Sequence, residues 1–161
     1  MVNIKHILIY LFISIVAGFG YNFLIIDGIP LFAKPLETVE NDFNLDQIIT
    51  DPMIREVSLE KAIELYDKGV LFIDARAEEY LADGFIPGAI ANDDINRLES
   101  MIIEKIGYDT AFVVYCSDDD CGSSEQMAYD LQDLGFMNIL VFKGGWKSWK
   151  ESDLPIEIIN E

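Results

Sequence analysis

In the run Phe112-Val-Val-Tyr-Cys-Ser-Asp-Asp-Asp-Cys-Gly-Ser-Ser-Glu-Gln-Met-Ala128 a strand hands over to a helix through a polar loop. Phe112 to Tyr115 is a short β-branched and aromatic run that ends on Cys116. Ser123 or Ser124 then opens a helical pattern whose apolar positions are Met127, Leu131 and Leu134. Cys116 therefore stands between a buried strand and a helix N-terminus. The free N–H groups and the positive dipole end there favour an anion. A thiolate is an anion, and the thiolate is the reactive form of cysteine. The loop amides are expected to curl into a bowl with Cys116 at its base.

On both sides of this run the chain alternates helix and strand. Ser58 caps a helix reaching about Lys68, and Gly69 ends it. Val70 to Ile73 is an apolar strand closing on Asp74-Ala-Arg76. A short helix at Glu78 to Ala82, ended by Gly84, leads to the turn Ile86-Pro-Gly-Ala-Ile90 and a further short strand. Asn96 to Ile106 is helical and Gly107 stops it. Ile139 to Phe142 is the last strand, Gly144-Gly145 breaks the chain, and Trp146 to Lys150 starts a final helix. Short, wholly apolar strands separated by helices predict a parallel sheet covered on both faces. In such sheets the ligand site lies beyond the C-terminal strand ends. Here those ends carry Asp74 and Arg76, the turn near Asn92, the Cys116 loop, and Gly144-Gly145.

Composition narrows the chemistry. The formal net charge is −18 over 161 residues. The first 36 residues carry +1 and the other 125 carry −19, a surface that repels nucleic acid and anionic headgroups. The single histidine is His6, so the rest of the chain has no Cys/His pair and no Ser/His/Asp triad. A zinc site of the usual Cys/His kind is excluded as well. The two cysteines share one loop in a Cys-x4-Cys spacing.

Ile7 to Ile26, ILIYLFISIVAGFGYNFLII, holds 20 residues without a formal charge, enough to cross a bilayer. Lys5 precedes it and Asp27 follows, which places the N-terminus in the cytoplasm and the remainder outside. Two other readings stay open: a signal peptide cleaved after Leu31-Phe32-Ala33, and a buried core helix. Asp27 to Pro35 is broken by glycine and prolines, and Leu36 to Glu56 is mixed and acidic, with a turn expected at Asp51-Pro52. The expected organisation is an anchor at 1–27, a linker at 28–53 that partly packs on the domain, and a domain at 54–161.

Four blocks resemble the rhodanese-like domains. Phe72-Ile-Asp-Ala-Arg76 with Glu79-Tyr80 and Gly84-Phe-Ile-Pro-Gly-Ala89 is similar to the first signature of that family. Val113-Val-Tyr-Cys116 is similar to its active-site strand, and Leu134-Gly-Phe136 precedes the next strand as in the family. Val141-Phe-Lys-Gly-Gly-Trp146, with Trp149 and Leu154-Pro155, is similar to the C-terminal signature. The anchor followed by Asn22 and Asp27-Gly-Ile-Pro-Leu31 further resembles bacterial members with one N-terminal membrane segment. The resemblance implies an α/β fold: a parallel sheet of about five strands with helices on both faces, after one transmembrane helix.

It also implies sulfur transfer. Cys116 would take a sulfane sulfur from a small donor, hold it as a persulfide and pass it to a thiol acceptor. The loop of Ser117, Asp118, Asp119, Asp120, Cys121 and Gly122 would bind substrate and stabilise the added charge. Asp74 and Arg76 would support it, Arg76 through a carboxylate such as Glu79, while Gly144, Gly145 and Trp146 shape the pocket wall. No cofactor or metal is implied. The bilayer contact would be residues 7–26, with the domain on the periplasmic side of the inner membrane.

The chain departs from the family pattern in three ways. Phe85 replaces a usual histidine. The cysteine loop is longer by about two residues and lacks its common arginine, so there is no Cys-x5-Arg motif for an oxyanion. Asp118, Asp119 and Asp120 raise a thiol pKa and repel thiosulfate if they face inward. Two rival functions remain open: a non-enzymatic sulfur carrier or docking module, and a dithiol redox module of Cys116 and Cys121. For Cys121 a resolving, a metal-binding and an inert role all stand.

Overall fold

The computed structural model describes residues 4–25, 36–38, 53–118 and 120–158. The cleavage reading at Leu31-Phe32-Ala33, the turn at Asp51-Pro52 and Asp119 lie outside these residues. Helix α1 (Ile4–Leu24) is long and apolar enough to cross a membrane. It begins three residues before the uncharged run and so includes Lys5 and His6.

A second unit starts at Leu36. It holds a five-stranded parallel sheet in the order β1-β2-β5-β4-β3. The strands are β1 (Glu37–Thr38), β2 (Arg55–Glu56), β3 (Leu71–Asp74), β4 (Phe112–Tyr115) and β5 (Ile139–Phe142). Four helices accompany them: α2 (Leu59–Asp67), α3 (Ile95–Ile106), α4 (Ser123–Asp133) and α5 (Gly145–Glu151). Residues 78–83 form a 3-10 turn rather than an α-helix.

Strand alternation builds two cores. Phe72, Val113, Tyr115, Leu140 and Phe142 face α2 and α5, where Leu65, Trp146 and Trp149 pack. Ile73, Phe112, Val114, Ile139 and Val141 face α3 and α4, against Leu98, Ile102, Ala128 and Leu131. With side chains buried on both faces, β4 and β5 have no polar side, which is why they read as unbroken apolar runs. Ser58 Oγ accepts the Lys61 N–H to cap α2, and Asp94 Oδ1 accepts the Asn96 N–H to start α3 at Ile95.

One expectation is corrected. The strand after the 86–90 turn shrinks to one bridge, Ile73 to Ile90. The two remaining strands come instead from upstream, and Glu37–Thr38 belongs to the stretch expected to pack partly on the domain. Leu36 packs on the α3/α4 core, and this burial ties that segment to the sheet edge.

Candidate active site

Cys116 follows directly from the C-terminal end of β4, which lies between β3 and β5. It is 3% exposed. Its sulfur is bonded to Cys121, with the Cα atoms 6.2 Å apart. That separation falls within the range a disulfide spans. A turn between them is closed by the Cys121 N–H donating to the Asp118 carbonyl at 3.1 Å.

The start of α5 grips this loop from the far side. The Trp146 N–H donates to the Cys116 carbonyl and the Lys147 N–H to the Ser117 carbonyl, each at 2.8 Å. Gly145 makes the approach possible. Its φ is +58°, and a β-carbon there would collide with the Cys116 carbonyl oxygen and lie 3.0 Å from the carbonyl carbons of Cys116 and Ser117. Gly144 is confined by side chains, with Ser148 Cβ 2.9 Å from where its own β-carbon would sit.

At the C-terminal ends of β3 and β4 lies a buried polar network. Asp74 and Tyr115 are register partners across β3 and β4. The Tyr115 hydroxyl donates to Asp74 Oδ2 at 2.7 Å and accepts the Ile86 N–H at 3.2 Å. Arg76 Nε donates to Asp74 Oδ1 at 2.9 Å, and its Nη2 donates to the Gly84 carbonyl at 2.9 Å. Its guanidinium carbon stands 4.9 Å from the Trp146 ring centroid. Burial alone would lower the Arg76 pKa, but the hydrogen bonds and charge of Asp74 outweigh it and raise the pKa. Burial and the Asp74 charge hold the Tyr115 phenol far above its ordinary range. The expected pairing of Arg76 with Glu79 is corrected: the partner is Asp74, because the β3 end aims its carboxylate at the guanidinium while residues 78–83 turn outward.

A cavity of about 260 Å³ opens beside the loop, lined by Asp118, Asp120, Gly144, Lys147, Ser148 and Glu151. Of the wall expected from Gly144, Gly145 and Trp146, only Gly144 lines it. Gly145 packs on the cysteine peptide and Trp146 under Arg76. Gly122 is the N-cap of α4 and gives no side-chain cap. Asn92 lies in a separate cavity of about 220 Å³ with Ser123 and Asp130. Among the described residues no cluster of three His, Cys, Asp or Glu could hold a metal ion. Sequence reasoning missed Tyr115 as the second partner of Asp74, and Lys147, Ser148 and Glu151 as cavity residues. The hydroxyl of Tyr115 in an otherwise hydrocarbon strand was the available signal.

The rhodanese-like domain family model matches residues 58–152. The chain belongs to the rhodanese-like domain family. This rhodanese-like chain is similar in fold to a Bacillus halodurans protein of known structure, with 21% identity, a TM-score of 0.55, and coverage of 64% of this chain and 76% of that one. It is likewise similar to the rhodanese-like domain of an Anabaena protein, with 25% identity, a TM-score of 0.52, and coverage of 63% and 77%. A thiosulfate sulfurtransferase from Pseudomonas aeruginosa shares the fold at 19% identity and a TM-score of 0.53; the match covers 64% of this chain and 20% of that one. The search of curated proteins returns no match. The rhodanese-like family includes sulfurtransferases.

Proposed function

We propose that the domain transfers sulfane sulfur through a persulfide on Cys116. The observation that carries this reading is the place of that residue. It stands at the C-terminal end of the β4 strand, in a loop held by α5 and directly after Tyr115 of the Asp74–Arg76–Tyr115 network, within a rhodanese-like domain. A reduced Cys116 thiolate attacks the outer sulfur of a small donor, and the donor remainder leaves as an anion. Ser117 to Gly122 then surround the loaded sulfur, and a thiol acceptor collects it. Asp74 and Arg76 act on the loop from below, and Gly144, Gly145 and Trp146 hold it from the side.

One observation favours a second reading. The bond between Cys116 and Cys121 supports a dithiol redox module. It also suits an oxidising compartment. We place α1 as a single-pass anchor in a bacterial inner membrane with the domain in the periplasm; Lys5 on the N-terminal side supports this orientation.

The test is intact-mass analysis of the full chain in detergent, reduced and then exposed to polysulfide. Sulfur transfer predicts a gain of about 32 Da that maps to Cys116 in the wild type or in Cys121→Ser and is lost in Cys116→Ser. Absence of that gain in both the wild type and Cys121→Ser overturns the reading. Turnover with cyanide as acceptor separates an enzyme from a carrier.

A further inference from the structure

We infer that Cys121 is the resolving thiol of the reaction. It attacks the persulfide on Cys116 and releases the stored sulfur as hydrosulfide, leaving the two residues joined. The inference rests on the sulfur-loading reading of Cys116. In the step proposed, the Cys121 thiolate attacks the inner sulfur, which is Cys116 Sγ. The bond between Sγ and the sulfane sulfur breaks, and its electron pair departs with the sulfane sulfur as HS−. The donor sulfur is thereby reduced to sulfide, and the two cysteines supply both electrons as they form their disulfide. An external dithiol then reopens the pair by exchange, itself becoming a disulfide.

Three features of the loop direct this outcome. First, the two Sγ atoms reach bonding contact inside the native fold, so the inner sulfur is within reach of Cys121. The reach is built in, because the peptides of Cys116, Ser117 and Cys121 are each fixed by a backbone hydrogen bond. A fixed neighbour attacks as if at very high local concentration. Second, Cys116 is 3% exposed whereas Cys121 is half-buried in the loop. An outside thiol has poor access to the inner sulfur, and Cys121 does not. Third, hydrogen sulfide is a stronger acid than a cysteine thiol, and the better leaving group is the more acidic one. Attack on the inner sulfur, which expels HS−, is therefore favoured over attack on the outer sulfur, which expels the Cys116 thiolate. Asp118, Asp120 and Glu151 outnumber the single cation Lys147 among the described residues of the adjoining cavity, and their net charge further repels an anionic acceptor such as sulfite and hastens a departing anion.

Sulfide is then the product whenever Cys121 reaches the persulfide before an external thiol acceptor collects the sulfane sulfur. The domain would act after a reaction that generates polysulfide or another sulfane compound, and it would depend on a dithiol reductant in its own compartment.

The experiment follows one turnover anaerobically, with the full chain in detergent, fully reduced, desalted and mixed with polysulfide. Hydrosulfide is counted as the excess over Cys116→Ser, alongside intact mass and a peptide map. The wild type is expected to end about 2 Da below its reduced mass, with Cys116 linked to Cys121 and about one hydrosulfide per chain more than Cys121→Ser releases on loading. Cys121→Ser and Cys121→Ala are expected to keep about 32 Da on Cys116 at least about tenfold longer. A wild type that holds its added sulfur as long as Cys121→Ser, or carries it on Cys121, overturns the resolving role and leaves sulfur loading intact. If no variant that retains Cys116 ever gains sulfur or releases hydrosulfide, loading and resolution both fall.

Discussion

The Tyr115 hydroxyl is wedged between two partners, donating to Asp74 Oδ2 at 2.7 Å while accepting the Ile86 N–H at 3.2 Å. Burial first, and then the Asp74 charge, raise its pKa far above that of a free tyrosine. The folded state therefore holds this proton more tightly than the unfolded chain does. The resulting stability is complete below the unfolded pKa of about 10 and is lost as pH rises beyond it. Lys143 adds a loss of the same sign above about pH 10.5, because its bond to Glu125 raises its pKa. Urea unfolding from pH 7 to 11.5 is expected to show declining stability above pH 10, at up to about 1.4 kcal/mol per pH unit for Tyr115. Tyr115→Phe should be about 1–2 kcal/mol less stable at pH 7 and show a shallower alkaline decline. An unchanged alkaline slope in that variant would contradict the assignment.

Breaking the Asp74–Arg76 pair from one side strands a buried charge. Arg76→Met is expected to lower stability by about 3–5 kcal/mol. Arg76→Lys should restore only part of it, because an ammonium cannot reproduce the fork that serves Asp74 and the Gly84 carbonyl together. Chemical denaturation of the three proteins checks the order.

The strands that were legible in the sequence were those buried on both faces. Phe112–Tyr115 and Ile139–Phe142 match their expected bounds because packing on both sides demands an uninterrupted apolar run. Glu37–Thr38 and Arg55–Glu56 were not legible. Two polar residues carry no periodicity, and only their neighbours in the sheet make them strands. The cysteine loop could be located from its neighbours, since a strand must end before it and a helix begin after it. The partner of Arg76 could not, because Asp74 two residues before it and Glu79 three residues after it are both within reach, and only the turn of residues 78–83 away from the guanidinium decides for Asp74, which the β3–β4 register also sets against Tyr115. The grip of α5 on the Cys116 peptide was also hidden, since it depends on the sign of φ at Gly145.

Gly145→Ala tests that grip. The substitution forces a β-carbon into left-handed backbone and against the Cys116 carbonyl, a backbone atom with little room to yield. A loss of about 2 kcal/mol or more is expected. The fraction of chain loaded with sulfur at Cys116 should fall with it, as read by intact mass. Full stability in this variant would show that α5 does not need the close approach.

Asp118 and Asp120 line the cavity with Glu151, against the single cation Lys147 among its described lining residues. Asp118→Asn combined with Asp120→Asn is expected to raise kcat/KM for thiosulfate by about two- to tenfold at low ionic strength, with the gain shrinking as salt is added. Uncharged sulfane donors should change little. Equal gains for both donor types would point to loop rearrangement instead of charge.

The strand order β1-β2-β5-β4-β3 has a consequence for the growing polypeptide. The pair at Glu37–Thr38 and Arg55–Glu56 joins the rest only through β5, whose last residue is Phe142. While the ribosome is still making the middle of the molecule, these early segments have no edge to dock on. A nascent chain stalled before Ile139 would present unsatisfied β-edges to chaperones and proteases, and the sheet closes only once Phe142 has been made.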